Sequence, residues 1–319
     1  MTPPSGSPGP DSTTDFDSAQ RLMTRFTAQL TTQLDRLGQG DRSGSRQGRR
    51  DRPPTLVAVA HGSRDPEALR TVTALLDRVR ALRPGLPVRL GHIELNQPLL
   101  ADTLAALRGE AVLVPLLLSR GYHTEQDIPD AVAAAPHLAA RIAAPLGPDP
   151  LLAEALHARL AEAGRRAGAP YGTGAGAPYG TGAAGAAAPH RAGVVLAAAG
   201  SRDPDAAVDV ARTAALLSAR LGGVPVLPGY ASGSGPTVPE AVRALAALGH
   251  DRIAVASYFT APGRFATQCA NATQAAHTTP GVAAAPLGAH PAVARLVVRR
   301  YEQAIASAPL SPPAATVGV

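Results

Sequence analysis

The feature that most constrains the fold is an internal repeat. The segment 56–66, LVAVAHGSRDP, returns at 194–204 as VVLAAAGSRDP, with Gly-Ser-Arg-Asp-Pro kept in full and an offset of 138 residues. Further along, the segment APLG at 144–147 returns at 285–288, where the offset is three residues larger than for the first pair of segments. A long-period repeat is typical of a duplicated structural unit. We therefore expect two similar lobes in tandem.

Each copy alternates apolar runs with helical patterns. The run 56–60 lies between a Pro-Pro pair and Gly62, which is typical of a strand buried in a parallel sheet. Asp65 then predicts an N-cap, with Pro66 as the first helical residue. In the first copy this pattern predicts strands at 56–60, 87–93, 111–118 and 138–144, and helices at 66–82, 98–107 and 150–163, with a helix entry at 124–127. The sequence thus predicts an α/β fold of two tandem lobes, each a mostly parallel four-stranded sheet flanked by helices, with a cleft between the lobes.

The remaining segments predict the domain boundaries. Residues 165–192 contain the repeated octapeptide AGAPYGTG, a low-complexity pattern typical of a linker. We therefore expect a disordered N-terminal extension with one amphipathic helix at Ser18–Leu37, an active lobe, the linker, a degenerate lobe and a disordered tail, with bounds at 1–53, 54–164, 165–192, 193–308 and 309–319.

Composition excludes several classes of protein. All 30 basic residues are arginine, so no nucleotide-binding loop with its lysine is present, and no Gly-x-Gly-x-x-Gly follows the first strand. The single cysteine, Cys269, excludes internal disulfides and argues against an iron–sulfur cluster. We find no membrane-spanning run and no signal-peptide layout, and we interpret the arginines at 42–52 as a solvated linker. We expect a cytoplasmic protein without membrane or nucleic-acid partners.

Three polar residues follow successive predicted strands of the first lobe: His61, Glu94 and His123. Side chains at the carboxyl ends of neighbouring parallel strands can converge on one point. Two imidazoles and a carboxylate suit a divalent metal such as Fe²⁺, Co²⁺, Ni²⁺ or Zn²⁺, or they can transfer protons. The second copy has lost all three, which argues against a purely structural role; the residues at the matching positions are Ala199, Ser232 and Arg264. A hydrolase using Ser63 is a weak alternative, because no acid is placed to orient the base.

The motifs VAHGSRDP at 59–66, ELNQP at 94–98 and VPLLLSRGYH at 114–123 resemble the sirohydrochlorin chelatase family, the ATP-independent tetrapyrrole chelatases. The resemblance covers residues 55–163, and 193–306 as a degenerate copy. It implies a lyase that inserts Fe²⁺ or Co²⁺ into sirohydrochlorin, on the route to siroheme or cobalamin. It also implies that both histidines handle the metal with Glu94 as acidic partner. The metal, Fe²⁺, Co²⁺ or Ni²⁺, is then a substrate, and no tightly bound cofactor is expected.

The residues that flank the two histidines are expected to bind the tetrapyrrole: Ser63, Arg64, Arg120 and Tyr122. Arginines in such positions suit bidentate contacts with substrate carboxylates, although surface roles are equally compatible with the sequence. Arg202 and Arg264 are expected to face the same cleft from the second lobe. A metal-binding or tetrapyrrole-binding protein without turnover is the alternative function. Because two fused lobes would replace a homodimer, we expect a monomer.

Overall fold

A computed structural model of the chain describes residues 52–167, 191–233, 235–275 and 282–307. The first lobe contains β1 (Thr55–Ala60), α1 (Pro66–Leu82), β2 (Val88–His92), α2 (Leu100–Ala106), β3 (Gly109–Pro115), a π-helical turn (His123–Asp127), α3 (Ile128–Ala133), β4 (Leu138–Ile142) and α4 (Pro150–Arg166). The second contains β5 (Ala192–Ala198), α5 (Pro204–Arg220), β6 (Val226–Tyr230), α6 (Val238–Ala247), β7 (Arg252–Ser257), α7 (Arg264–Ala275), β8 (Val282–Ala283) and α8 (Pro291–Ala306). The predicted N-terminal helix, the repeated octapeptide and the C-terminal tail lie outside the described residues.

Both sheets are parallel throughout and share one strand order. The first runs β2-β1-β3-β4 and the second β6-β5-β7-β8. In β1, five of six residues are buried, as expected for a strand with neighbours on both sides and helices on both faces. The predicted fold class, two duplicated α/β lobes, is confirmed. None of the helices in the described ranges has the length and apolar character needed to span a bilayer.

Most element ends lie within two residues of the sequence-based expectation, and two ends differ from it by three residues. Strand β3 ends at Pro115 and not at 118. Beyond it, the amide of Leu116 still donates to Val59 of β1 at 2.8 Å. Two carbonyls of this segment accept from the second lobe, that of Leu116 from Thr260 Oγ1 at 3.0 Å and that of Leu118 from Tyr258 Oη at 2.8 Å. Helix α4 continues to Arg166, past the expected end at 163 and into the predicted linker.

The two lobes pack against each other through two helices from each lobe, and these helices occupy equivalent positions in the repeat. Helix α1 packs against α8, and α4 packs against α5 and α8. By position in the repeat, α5 is the second copy of α1, and α8 is the second copy of α4. The contact therefore has the pairing of an isologous dimer interface, with a pseudo-two-fold axis between the lobes. One continuous hydrophobic core spans it, with members such as Leu76 and Leu156 in the first lobe and Leu217 and Val297 in the second.

Candidate active site

The end of β1 is held against the loop after β2 by a tight turn. Gly62 has φ +105°, and a Cβ on it would lie 1.9 Å from the carbonyl oxygen of Glu94. The amide of Glu94 donates to the carbonyl of His61 at 3.0 Å. The turn therefore requires glycine, both for its backbone angle and for the close approach. It places His61 and Glu94 side by side.

The Gly-Ser-Arg-Asp-Pro motif builds the start of α1 from its own side chains. Ser63 N donates to Asn96 Oδ1 at 2.6 Å, Ser63 Oγ accepts from Asp65 N at 3.1 Å, and Asp65 caps the helix. The second copy repeats the hydroxyl and cap contacts with Ser201 and Asp203. The Oγ of Ser63 thus supports the turn, and its contact with substrate stays a prediction. Sequence reasoning missed Asn96, although the ELNQP motif contains it.

The structure brings the three predicted catalytic residues together. His61 Nδ1 lies 3.5 Å from Glu94 Oε1, and the rings of His61 and His123 meet edge to face with centroids 4.7 Å apart. All three side chains are partly exposed, at 45%, 52% and 35% for His61, Glu94 and His123. The predicted convergence of these residues is therefore seen in the structure, and they remain accessible from outside.

His123 does not stand at a strand end, as the sequence interpretation had it. It lies eight residues beyond β3 and begins the π-helical turn. That turn brings Asp127 back to it, so that His123 Nδ1 lies 2.5 Å from Asp127 Oδ2. Sequence reasoning missed this partner; the spacing of four residues in a predicted helix entry was the available signal.

A further histidine lies at the end of β2. His92 is buried, and its Nδ1 lies 3.2 Å from the carbonyl oxygen of Pro98. Burial lowers its pKa, although the contact with Pro98 opposes the shift. A buried histidine with a lowered pKa stays neutral near pH 7. We interpret His92 as a support for the strand end that holds the Glu94 loop.

The predicted metal ligands belong to two separate histidine–carboxylate pairs and do not form one group of ligands around a single metal position. Among the described residues, no three His, Cys, Asp or Glu side chains are arranged so that they could hold a metal ion together. His61 pairs with Glu94 and His123 with Asp127, and the two pairs touch through the rings. Joint metal binding by His61, His123 and Glu94 stays a prediction. An open arrangement is compatible with a metal that passes through the site as a substrate.

The two histidine–carboxylate pairs open into a cavity of about 1590 Å³ that both lobes line. Ligand pockets commonly measure about 300–1,000 Å³, so this cavity has room for a molecule larger than most metabolites. The second lobe repeats the tight turn, because a Cβ on Gly200 would lie 1.9 Å from the carbonyl oxygen of Ser232. Ala199 and Ser232 stand there in place of the first histidine and the glutamate. The backbone of the wall and its Gly-Ser-Arg-Asp-Pro turn are therefore duplicated, whereas the imidazole and the carboxylate are not.

Arg120 joins the two lobes. Its Nη1 donates to Asp205 at 2.7 Å, while its Nε, Nη2 and backbone amide donate to Asp209 at 3.0, 2.9 and 3.1 Å. Burial by itself would raise the pKa of the Asp209 carboxyl, but the hydrogen bonds from Arg120 outweigh it and the pKa is lowered. Substrate binding by Arg120 stays a prediction, as does that by Tyr122, which is exposed beside His123.

Comparison with known proteins places this fold and site in a family. A sequence model of the CbiX family matches residues 55–163 and 193–304. The chain belongs to the CbiX family. The matched segments are the two lobes, and the predicted family is confirmed.

Individual relatives agree with the family assignment. The sirohydrochlorin cobaltochelatase of Methanosarcina barkeri is 28% identical over 123 residues, which are 34% of this chain and 95% of that protein. That of Methanococcus maripaludis is 32% identical over 78 residues, which are 23% of this chain and 54% of that protein, about half its length. Among solved structures, SirB from Bacillus subtilis with Fe³⁺ shares the fold, with a TM-score of 0.62, 23% identity, and coverage of 79% of this chain and 96% of SirB.

Proposed function

We propose that this chain is a sirohydrochlorin chelatase, which inserts a divalent metal ion into sirohydrochlorin. The observation that carries the proposal is the contact between two histidine–carboxylate pairs, His61–Glu94 and His123–Asp127, whose histidines line a cavity of about 1590 Å³. Relatives named sirohydrochlorin cobaltochelatase support the substrate.

Insertion has two requirements, and the paired imidazoles meet both. Two protons must leave the pyrrole nitrogens, and a divalent ion must exchange its water ligands for those nitrogens. A neutral imidazole accepts a proton or binds a metal through the same nitrogen. In the described part of the chain, the Nε2 atoms of His61 and His123 have no hydrogen-bond partner, whereas both Nδ1 atoms face a carboxylate.

The two carboxylates determine which nitrogen of each imidazole is basic. A carboxylate at Nδ1 favours the tautomer with the proton on Nδ1, which leaves Nε2 as the basic atom. Asp127 at 2.5 Å holds His123 firmly, while Glu94 at 3.5 Å from His61 leaves that ring more freedom. We assign His123 as the fixed acceptor of one proton, and His61 with Glu94 as the group that hands over the metal. Once the metal has left its Nε2, His61 accepts the second proton.

The metal identity belongs to the proposal as well. Imidazole and carboxylate accept several first-row divalent ions, and availability often decides among them. The sequence-based expectation places Fe²⁺ before Co²⁺. The curated relatives are named for cobalt, and SirB structures contain iron in one case and cobalt in another. We propose that the chain accepts both ions.

The test is an anaerobic absorbance time course with sirohydrochlorin and Fe²⁺, Co²⁺ or Ni²⁺ in turn. Wild type should accelerate the spectral change, and His61→Ala and His123→Ala should each lower the rate by about 10²-fold or more, the usual effect of removing an acid–base group. His137→Ala is the matched control, since His137 is an exposed histidine of the same lobe outside the cavity. No acceleration with any metal would favour the alternative, a binding protein without turnover, which stoichiometric metal titration would then measure.

A further inference from the structure

The second lobe contributes directly to the wall around the first histidine. A Cβ on Gly263, in the loop before α7, would lie 3.6 Å from Ser63 Oγ, and the pseudo-symmetric approach of Gly121 to Ser201 Oγ measures 3.7 Å. Each loop therefore lies against the Gly-Ser-Arg-Asp-Pro turn of the other lobe. Arg264 follows Gly263 directly and lines the same cavity as His61.

Arg264 occupies the position that His123 holds in the first lobe. Both residues line the cavity, and each begins the helix that follows its loop. The guanidinium carbon of Arg264 lies 5.1 Å from the ring centroid of Phe265, and the side chain is exposed. At this position of the repeat, the first lobe thus has an imidazole and the second lobe has a permanently charged guanidinium group.

A second arginine of the same wall, Arg202, is also exposed to the cavity. Within the described residues neither Arg202 nor Arg264 makes an ion pair, whereas Arg120 is neutralised by two carboxylates. The wall's own acidic residue, Asp203, is engaged by the amide of Asp205 as the cap of α5. Among the described residues, the second lobe therefore presents to the cavity two exposed guanidinium groups without an ion-pair partner.

We propose that Arg202 and Arg264 form a carboxylate-binding wall that holds the acidic side chains of the tetrapyrrole and turns the macrocycle towards the two histidines. This inference rests on the proposed function, because it takes a carboxylate-rich tetrapyrrole as the ligand. Guanidinium groups suit this ligand, since they remain charged and bind carboxylates through two parallel hydrogen bonds. The second lobe is then a specificity element, although it lacks the histidines and the glutamate.

The role predicts a particular division of kinetic effects. Contacts to peripheral carboxylates are the same before and during metal insertion, so their loss weakens binding without slowing the chemical step. We expect Arg264→Gln and Arg202→Gln each to raise Kd and KM by about tenfold, the effect of losing one charge-assisted contact. The value of kcat should stay within about threefold of wild type.

The experiment measures equilibrium binding of metal-free sirohydrochlorin by its fluorescence, using the full chain in each case. Arg264→Gln, Arg202→Gln and their double variant are compared with Arg220→Gln, a matched loss of an exposed arginine at the end of α5, outside the cavity. Arg264→Lys keeps the charge and loses the bidentate geometry, so its affinity should be intermediate. Thermal unfolding shows that each variant is folded.

The outcomes separate this inference from the proposed function. A double variant that binds as tightly as wild type overturns the carboxylate-binding wall, whether or not the enzyme inserts metal. If wild type binds sirohydrochlorin but no metal is inserted, the proposed function fails, and the wall is judged by the binding constants alone. A wild type that does not bind sirohydrochlorin overturns both. A large fall in kcat with unchanged KM would assign Arg264 to the chemistry and overturn a binding role.

Discussion

The two tight turns, one in each lobe, allow stability and chemistry to be tested separately. Gly62 has φ +105° and Gly200 has φ +85°, and a Cβ on either would lie 1.9 Å from a carbonyl oxygen of the neighbouring loop. Substitution by alanine places the new side chain in a backbone region that costs about 1–3 kcal/mol. Relief of the contact requires the neighbouring carbonyl to move by more than an ångström, so we expect about 3 kcal/mol or more in total.

The expected losses of stability are similar and the expected losses of activity are not. Gly62→Ala and Gly200→Ala should both lower the urea midpoint, since their surroundings are copies of one another. In the first lobe the displaced carbonyl belongs to Glu94, so Gly62→Ala separates the histidine from its carboxylate. In the second lobe it belongs to Ser232, which has no part in the proposed chemistry. At saturating sirohydrochlorin and a temperature where both variants are folded, Gly62→Ala should abolish metal insertion. Gly200→Ala should retain most of it, because the neighbouring Arg202 is proposed to affect binding and not the chemical step.

Equilibrium urea denaturation and the anaerobic insertion assay provide the two readouts. The reasoning is refuted if Gly200→Ala loses insertion while Gly62→Ala retains it, because the chemistry would then lie in the second lobe. A change of less than about 1 kcal/mol in either variant would contradict the strain argument, since the loop would have moved at little cost.

Three further predictions concern single groups. Asp127→Asn should lower the insertion rate by about 10- to 100-fold with little change in stability, since it removes the charged partner of His123. Asp209→Asn should lower the urea midpoint at pH 7, because it removes the carboxylate that pairs with Arg120. Since Arg120 lowers the pKa of Asp209, the wild type has the full stabilisation by this pair above pH ~3.9 and loses it as the pH falls through the lower pKa of the folded state. The stability of the variant should not show this loss. Burial raises the pKa of the Cys269 thiol to about 11, so an aromatic disulfide reagent should react slowly in the native protein and rapidly in urea; fast native reaction would contradict this.

Local patterns in the sequence were sufficient for the sheets and for half of the candidate site. The repeat and the apolar runs predicted a mostly parallel four-stranded sheet in each lobe, and the strand-end rule predicted that His61 and Glu94 would meet. Residues 116–118 were assigned to β3 because they continue its apolar run, and the contacts of the Leu116 and Leu118 carbonyls with the second lobe leave no trace in a hydrophobic pattern. Contacts between distant segments were beyond local patterns, as with Arg120 and Asp209, which lie 89 residues apart.

The pseudo-two-fold axis has a consequence for how such a chain can change over time. In an assembly of two identical subunits, one codon encodes the equivalent residue in both walls of the shared cavity. A substitution that improves one wall is therefore also present in the other. Joining the subunits in one gene gives each wall its own codon. A flat ring lying between the walls then meets unlike surfaces on its two faces, and an ion delivered from the histidine side has a defined side of entry. Histidine at positions 199 and 264 together with glutamate at position 232 would give both walls the same three polar groups.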